Sequence, residues 1–263
     1  MPSITREAEL QPLRIGCAGW SLPRSQWPHF PDAGSQLERY AARFEMAEID
    51  TSFYRPHRRE TYERWAASTP AHFRFAVKTP KTITHEQRLH DPLPAFDEFL
   101  AQVHGLGDKL GCVIVQLPPS LPFDAAVVGR FLAALRRRHG GPLALEPRHD
   151  SWFVPAAEAL LARFETARVL ADPVLHERAA APGGWPGLVY LRLHGSPRRY
   201  WSSYSDDLLA QLAQRLRRAQ QEGAPCWCIF DNTAGGDAVG NALTLRDMVT
   251  AAAESDTRKE TQQ

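Results

Sequence analysis

Eight short apolar runs recur along this chain of 263 residues, and amphipathic helical patterns separate most of them. The runs have the length and composition of β-strands. Regular alternation of strand and helix is typical of a parallel sheet covered by helices, the α/β class. Every strand after the first ends in polar groups, which predicts a closed TIM-like (β/α)8 barrel. The predicted strands span residues 13–19, 46–54, 73–79, 112–117, 142–148, 167–172, 188–194 and 226–232.

Helical periodicity predicts seven helices. Asp124 and Ser205 precede two of them, where N-cap residues belong, and Gly140 and Gly223 follow the same two, where C′ glycines belong. The segment between strands six and seven is short and rich in Gly and Pro, so we expect a degenerate βα unit there. The predicted helices span residues 35–44, 59–68, 95–110, 125–140, 155–164, 205–223 and 241–254.

An open, doubly wound sheet would show the same alternation. That fold binds dinucleotides through a G-x-G-x-x-G turn after its first strand, whereas here Gly16 and Gly19 lead into Trp20. The count of eight strands and the missing turn therefore favour the closed barrel. We expect a single barrel domain over residues 12–254, with frayed termini at 1–11 and 255–263.

Composition constrains the partners of this chain. A net charge of +1 does not favour a nucleic-acid ligand, although a local basic cleft would allow one. No apolar run reaches the ~20 residues that span a bilayer, and the first residues lack the apolar stretch of a signal peptide. We therefore expect no membrane association and a cytoplasmic location. The cysteines lie in predicted strands without a Cys-x-x-Cys pattern, so we expect them to be buried and reduced. They are Cys17, Cys112, Cys226 and Cys228.

Ionisable side chains cluster where the predicted strands end. Glu48, Asp50 and Tyr54 alternate onto one face of the second strand, and Tyr190, Arg192 and His194 share a face of the seventh. In a barrel mouth, carboxylates and histidines suit acid–base catalysis and cations suit anion binding. The expected catalytic residues are Glu48, Lys78, Glu146, His194 and Asp231. The expected substrate-binding residues are Trp20, Asp50, Tyr54, His85, Gln116, Arg148, Trp152, Arg192, Tyr200 and Asn232.

Six strand-end motifs also resemble those of one known family. They read EIDTSFYRP, FRFAVKTPKTITH, VQLPPS, LALEPRHDSW, YLRLHG and FDNTAGGDAVGNA. The series is similar to that of the YecE-like family, known as domain of unknown function number seventy-two, over roughly residues 13 to 245. The resemblance implies a TIM-like barrel and leaves the reaction open. It also carries over Thr84, Gly195 and Asn241 as motif positions.

Structural roles compete with these functional ones. Glu146 and Arg148 lie two residues apart on one strand face, so an ion pair inside the barrel explains them as well as catalysis does. Glu48 and Arg192 have the same alternative. The glycine that follows His194 favours close approach of a ligand there. Asn241 fits an N-cap of the last helix better than a ligand contact.

Three functions remain open on the sequence. The first is an enzyme that acts on a small anionic, phosphorylated or carboxylated substrate by acid–base chemistry. The second is a metal-dependent barrel enzyme that resembles sugar isomerases or apurinic endonucleases, with ligands from several strands. The third is a non-catalytic binding barrel. The sequence names no cofactor, metal or oligomeric state. In the first function Arg192 would contact the anion, and its replacement by Met would weaken binding.

Overall fold

A computed structural model gives the fold of the protein and describes residues 11–260. Its sheet has the strand order β7-β9-β10-β1-β2-β3-β4-β5-β6-β8, and every neighbouring pair is parallel except β6 with β8. The strands are β1 (Leu13–Ala18), β2 (Met46–Ile49), β3 (Arg74–Lys78), β4 (Leu110–Gln116), β5 (Leu143–Glu146), β6 (Thr166–Arg168), β7 (Leu170–Asp172), β8 (Gly183–Gly184), β9 (Val189–Leu193) and β10 (Cys226–Phe230).

The barrel closes through the predicted sixth strand, which is divided at Val169. Its first half, β6, pairs with β5, and its second half, β7, pairs with β9. Val169 itself donates its amide hydrogen to the carbonyl of Leu145, 2.9 Å away. One stretch of chain thus joins the two ends of the sheet, and the prediction of a closed barrel of eight parallel strands is confirmed.

Helices cover the outside of the barrel, except between β7 and β9. There the chain forms only the 3-10 turn Glu177–Ala179 and the short strand β8, as the degenerate unit predicted. An apolar cavity of about 340 Å³ remains on this side, partly lined by Leu170, Leu191 and Leu216. The helices are α1 (Gln36–Ala41), α2 (Thr51–Tyr54), α3 (Arg59–Ala67), α4 (Leu93–Val103), α5 (Ala125–Arg136), α6 (Pro155–Arg163), α7 (Asp206–Gln221) and α8 (Ala238–Glu260).

Alternation along the strands builds two separate apolar layers. Ala47, Phe75 and Val113 pack outward in the cluster that includes helix residues. The alternate residues form a second cluster inside the barrel, as layered side chains do in this fold. The inner cluster contains Met46, Ala76, Cys112, Ile114, Ala144, Ala167, Val169, Leu188, Tyr190, Trp227 and Ile229. The inward position two residues further on is polar in six strands, which sets the candidate site directly above the apolar interior.

Several element boundaries differ from the predicted ones. The second strand ends at Ile49 and not at residue 54, because the chain turns into α2. Helix α5 ends at Arg136, so Gly140 is not its C′ residue, whereas Gly223 follows α7 with a φ of 90°. Asp124 and Ser205 are N-caps, each accepting backbone amide hydrogens through its side chain.

The last helix is longer than predicted at both ends. Helix α8 begins at Ala238, so the N-cap prediction for Asn241 is wrong, and it continues to Glu260, where a frayed terminus was expected. Residues 1–10 and 261–263, also expected to fray, lie outside the described residues. In the described part of the chain, no helix combines the length and apolar character needed to cross a membrane. All four cysteines are buried and unpaired, as predicted.

Candidate active site

Arg192 lies at the centre of the barrel mouth, which we define as the C-terminal ends of the strands with the loops that follow. Its side chain has no exposed surface. The guanidinium is 2.5 Å from Glu48 Oε1, 2.8 Å from Glu146 Oε2, and 3.3 Å from both Asp50 and Asp231. A buried guanidinium is stable only when its donors are paired. Arg192 therefore holds together four carboxylates from the ends of three strands, β2, β5 and β10.

The two fully buried carboxylates differ in their electrostatics. Burial raises the pKa of Glu48 to about 7, against the opposing effect of Arg192. Tyr190 donates its hydroxyl hydrogen to Glu48 Oε2 at 2.7 Å. Burial would also raise the pKa of Glu146, but Arg192, Arg148 and His194 together hold it well below its usual range. Glu48 is thus the carboxyl of the pair that gains a proton first as pH falls.

His194 is buried between three charged groups. Its Nδ1 is 2.9 Å from Asp231 Oδ2, and its Nε2 is 3.0 Å from Arg148 Nη2 and 3.3 Å from Glu146 Oε1. Arg148 can only donate, so the shorter Nε2 contact favours the tautomer that carries its proton on Nδ1 and donates to Asp231. Arg148 also forms an ion pair with Glu146. Both nitrogens of His194 are therefore engaged by protein groups.

Burial would raise the pKa of Asp231, but the charge of Arg192 and the hydrogen bond with His194 lower it. Asp231 is therefore ionised at neutral pH and is a suitable acceptor for the Nδ1 proton of His194.

The charge of Lys78 has far fewer partners than the charge of Arg192. Its side chain is 8% exposed, and its ammonium is 3.7 Å from Asp50 Oδ1, beyond hydrogen-bond distance. The ammonium also lies 4.3 Å from the centre of the Phe53 ring, a cation–π contact. Among the described residues no hydrogen bond to this ammonium is found. Asp50, 26% exposed, is the most accessible of the four carboxylates.

His85 also contacts the Phe53 ring, edge-to-face, with ring centres 4.9 Å apart. It belongs to the one-turn π-helix Thr82–Glu86, and its Nδ1 is 2.8 Å from the hydroxyl of Thr84. Burial lowers the pKa of His85, and the charges of Lys78 and Arg148 lower it further. The imidazole is therefore neutral at pH 7, and one of its two nitrogens carries no proton.

The structure brings most of the expected catalytic and binding residues together at the mouth and leaves others away from it. Gln116 reaches the cluster, with Oε1 accepting from Arg192 at 3.3 Å. Trp152 is wholly buried and donates its indole hydrogen to the Leu121 carbonyl. Tyr54 follows the strand end on α2 and is 73% exposed. Tyr200 is partly exposed and meets the His194 ring edge-on at 5.6 Å.

Asn232 and Asn241 form hydrogen bonds that hold the loop after β9 in place. Asn232 is buried and donates to the Ser202 carbonyl at 3.0 Å and to Asn241 Oδ1 at 2.9 Å. Asn241 Oδ1 also accepts the amide hydrogen of Tyr204 at 3.2 Å. These amides fix the loop after β9 to α8. We conclude that Asn241 acts from inside its helix as a tertiary contact.

Gly195 has a φ of 93°, a left-handed conformation that favours glycine. A Cβ there would lie 2.9 Å from the Ser202 carbonyl oxygen and 3.1 Å from the Asn232 side chain. The close approach predicted after His194 is therefore made by the protein's own loop. The amide of Gly195 donates to the Tyr204 hydroxyl at 2.8 Å, which in turn donates to Asp172 at 2.7 Å.

A cavity of about 580 Å³ opens beside the mouth, over the ends of β1 and β2. Trp20 and Trp65 form part of its wall and meet edge-to-face, with ring centres 5.1 Å apart. Glu48 and Asp50 line the side that faces Arg192. The cavity therefore shares its carboxylates with the ion-pair cluster.

The carboxylates of the mouth are directed at cations of the protein itself. Within residues 11–260, no group of three or more His, Cys, Asp and Glu side chains is arranged to hold a metal ion. Arg192 occupies the space between Glu48, Glu146 and Asp231 that a divalent ion would need. The residues present thus do not fit the metal-dependent alternative without displacement of the guanidinium.

Three residues outside the expected set contribute to the site. Tyr190 holds Glu48, Phe53 contacts both Lys78 and His85, and Tyr204 links Gly195 to Asp172. Alternation in the seventh strand already put Tyr190 on the face of Arg192, so its role was accessible from the sequence. Phe53 was hidden, because the second strand was predicted to continue through it.

A family model described as "Protein of unknown function DUF72" matches residues 14–263. The chain is 26% identical over 267 residues to the UPF0759 protein YunF of Bacillus subtilis, covering 90% of this chain and 94% of that protein. It is 30% identical over 147 residues to the UPF0759 protein YecE of Escherichia coli K12, covering 56% of this chain and 52% of that protein.

Solved structures of DUF72 proteins share the fold. One from Enterococcus faecalis V583 superposes with a TM-score of 0.76 at 23% identity, covering 90% of this chain and 95% of that one. One from Thermotoga maritima MSB8 gives a TM-score of 0.74 at 25% identity, covering 91% of this chain and 99% of that one. The family resemblance expected from the strand-end motifs is confirmed.

Proposed function

This chain belongs to the DUF72 family, whose description assigns no activity, and we propose from its own residues that the barrel mouth is the active site of an enzyme for a small anionic substrate. Lys78 carries the proposal. Its nearly buried ammonium makes no hydrogen bond within the described residues, whereas Arg192 is paired with four carboxylates. Leaving a buried cation this poorly paired costs stability, and a bound phosphate or carboxylate would supply the missing partner.

Arg148 supports the same anion position. Its Nη2 is used by Glu146 and His194, but its Nε is buried without a hydrogen-bond partner among the described residues. The charges of Lys78 and Arg148 both lower the pKa of His85, so both cations act on the side of the mouth that carries His85. We assign the substrate's anionic group to this side.

His85 and Asp50 are suited to proton transfer to and from such a substrate. His85 is neutral at pH 7, and in the tautomer whose Nδ1 donates to the Thr84 hydroxyl, Nε2 is the atom that would take a proton. Asp50 is the most accessible carboxylate and lies beside Lys78. Deeper in the mouth, Asp231 and His194 form a second acid–base pair next to Glu146, while Glu48 and Arg192 hold these groups in position.

Calorimetric titration with inorganic phosphate and sulfate tests the anion site. Lys78→Met should weaken binding by on the order of 1.5–3 kcal/mol, the value of one charge-assisted hydrogen bond. Lys81→Met is the matched control, because Lys81 lies three residues away, half-exposed and paired with Glu86. Equal affinities of the wild type and Lys78→Met, or no binding in either, would remove the basis of the proposal.

Turnover separates an enzyme from a binding barrel. Phosphorylated sugars and simple carboxylic acids are incubated with the protein in D2O and followed by NMR. Acid–base catalysis should give product or deuterium at an exchangeable carbon, and His85→Asn should slow either. Saturable binding with neither outcome would favour the non-catalytic barrel.

A further inference from the structure

The cavity beside the mouth joins an aromatic wall to a carboxylate wall. Trp20 and Trp65 supply the first, and the partly exposed carboxylate of Asp50 supplies the second, with the buried Glu48 behind it. Binding pockets for small molecules commonly measure about 300–1,000 Å³ and combine apolar surface with a few fixed polar groups. At about 580 Å³ this cavity falls within that range. Its chemistry therefore indicates a compact ligand with one apolar face and several hydrogen-bond donors.

Further polar side chains surround the same space. Thr51 and His57 line the cavity, and Thr51 Oγ1 is 2.7 Å from His57 Nε2. Burial lowers the pKa of His57, and Arg55 lowers it further, so this ring is neutral at pH 7. A hydroxyl-bearing ligand can donate to carboxylates and exchange hydrogen bonds with hydroxyl and neutral imidazole groups. A purely apolar ligand would leave Asp50 and Thr51 without these partners.

Asp50 connects the cavity with the anion position. It lines the cavity, and its Oδ1 lies 3.7 Å from the ammonium of Lys78. The side chain of Asp50 thus lies between the cavity and Lys78. A ligand that fills the cavity could place an anionic group on one arm beside the Lys78 ammonium. Gly19 widens the approach, because its Cα faces open space with no atom within 4 Å of a Cβ position.

We infer that this cavity binds a sugar ring, so that the substrate at the mouth is a sugar phosphate. A pyranose or furanose has C–H faces that pack on indole rings and hydroxyls that donate to carboxylates, and its phosphate arm reaches the cation side. The inference rests on the proposed anion site at Lys78, and it adds the identity of the substrate's uncharged part.

Titration calorimetry with inorganic phosphate, glucose, glucose 6-phosphate and ribose 5-phosphate tests it. In the wild-type protein at least one sugar phosphate should bind ten-fold or more tightly than phosphate alone. Thr51→Phe, a change at an exposed residue of the cavity wall, should abolish this gain and leave phosphate binding intact. Thr51→Ser keeps the hydroxyl beside His57 and should keep the gain.

The outcomes distinguish the two claims. If phosphate binds in a Lys78-dependent manner but no sugar phosphate binds more tightly, the sugar inference is wrong and the anion site stands. A gain that survives in Thr51→Phe would place the sugar elsewhere and also overturn the inference. If neither phosphate nor any sugar phosphate binds, the inference and the proposed function fail together. Retained phosphate affinity in Thr51→Phe also shows that the variant is folded.

Discussion

Arg192 Nη2 lies 2.5 Å from Glu48 Oε1, and neither side chain has any exposed surface. The two residues are 144 positions apart in the sequence, on strands β9 and β2. Tyr190, from the strand of Arg192, bonds the other oxygen of Glu48. This contact crosses the barrel interior and fixes two distant strands at the level of the mouth. Its energetics govern what substitutions in the site will do.

Arg192→Met should strongly destabilise the fold. The change leaves Glu48 and Glu146 buried without their main counter-ion, and breaking a buried ion pair from one side costs about 3–5 kcal/mol. Urea denaturation at pH 7 measures the effect. Arg198→Met, at an exposed arginine on the same loop face, should change the free energy of unfolding by less than about 0.5 kcal/mol. A variant as stable as the wild type would show that the ion pairs of Arg192 make no net contribution to the free energy of unfolding. The expectation that Arg192 contacts the anion directly is abandoned, because its side chain is inaccessible to a ligand.

Glu48 should make the protein less stable as pH rises from about 5 to 7. Its folded-state pKa is raised to about 7, above its usual 4.5, so the folded protein holds a proton that the unfolded chain has released. The contribution is fully present below the usual pKa and is lost as pH passes through about 7. In Glu48→Gln this dependence is removed. Unfolding free energies of both proteins at several pH values give the test, and a constant difference between them contradicts it.

Gly195→Ala should destabilise the fold by about 1–3 kcal/mol, the cost of a strained backbone conformation. The new Cβ would also press on the Ser202 carbonyl. Gly223→Ala is the matched control, since it has a similar positive φ of 90° but no atom within 4 Å of its Cβ position. The excess loss at Gly195 measures the cost of close approach. Equal losses at both glycines would assign the whole effect to φ.

Asn241→Leu should loosen the loop after β9. The substitution leaves the Tyr204 amide and the Asn232 side chain without their common acceptor, at about 1–3 kcal/mol for an unsatisfied buried group. Hydrogen exchange at the Tyr204 amide should accelerate accordingly. Thr250→Ala on the same helix, where the hydroxyl is exposed, serves as control. Unchanged exchange at Tyr204 would mean that other contacts hold the loop.

The strand pattern predicted the barrel because period-two alternation and burial act locally. The face shared by Tyr190, Arg192 and His194 was correct for this reason, and all three point into the cluster. The second strand was predicted too long. EIDTSFY alternates as well as a strand does, but Ser52 donates to the carbonyls of Ile49 and Lys78 at 3.1 and 2.7 Å, which stabilises a helical turn instead. That competition depends on a neighbouring strand, which the local pattern does not contain.

Which charges are free and which are paired could not be read from the sequence. Arg192 and Lys78 end strands in the same way, yet one is enclosed by four carboxylates and the other has a single distant one. The difference follows from strand position around the barrel, because the side chain of Arg192 on β9 reaches carboxylates at the ends of β2, β5 and β10. The sequence shows which ionisable groups lie at the strand ends, but which of them pair depends on how the sheet closes.

The segment that replaces the missing helix has a further effect on association. Where β7 moves over to β9, one side of β6 would be left as an unpaired edge, and such edges template aggregation. The two residues of β8 pair there in the antiparallel direction. A Cβ on Gly184 would lie 2.5 Å from the Thr166 carbonyl oxygen, so only glycine lets the chain come this near. The glycines that disfavour a helix in this segment thus allow β8 to cover the edge of β6, which protects that edge from pairing with another chain.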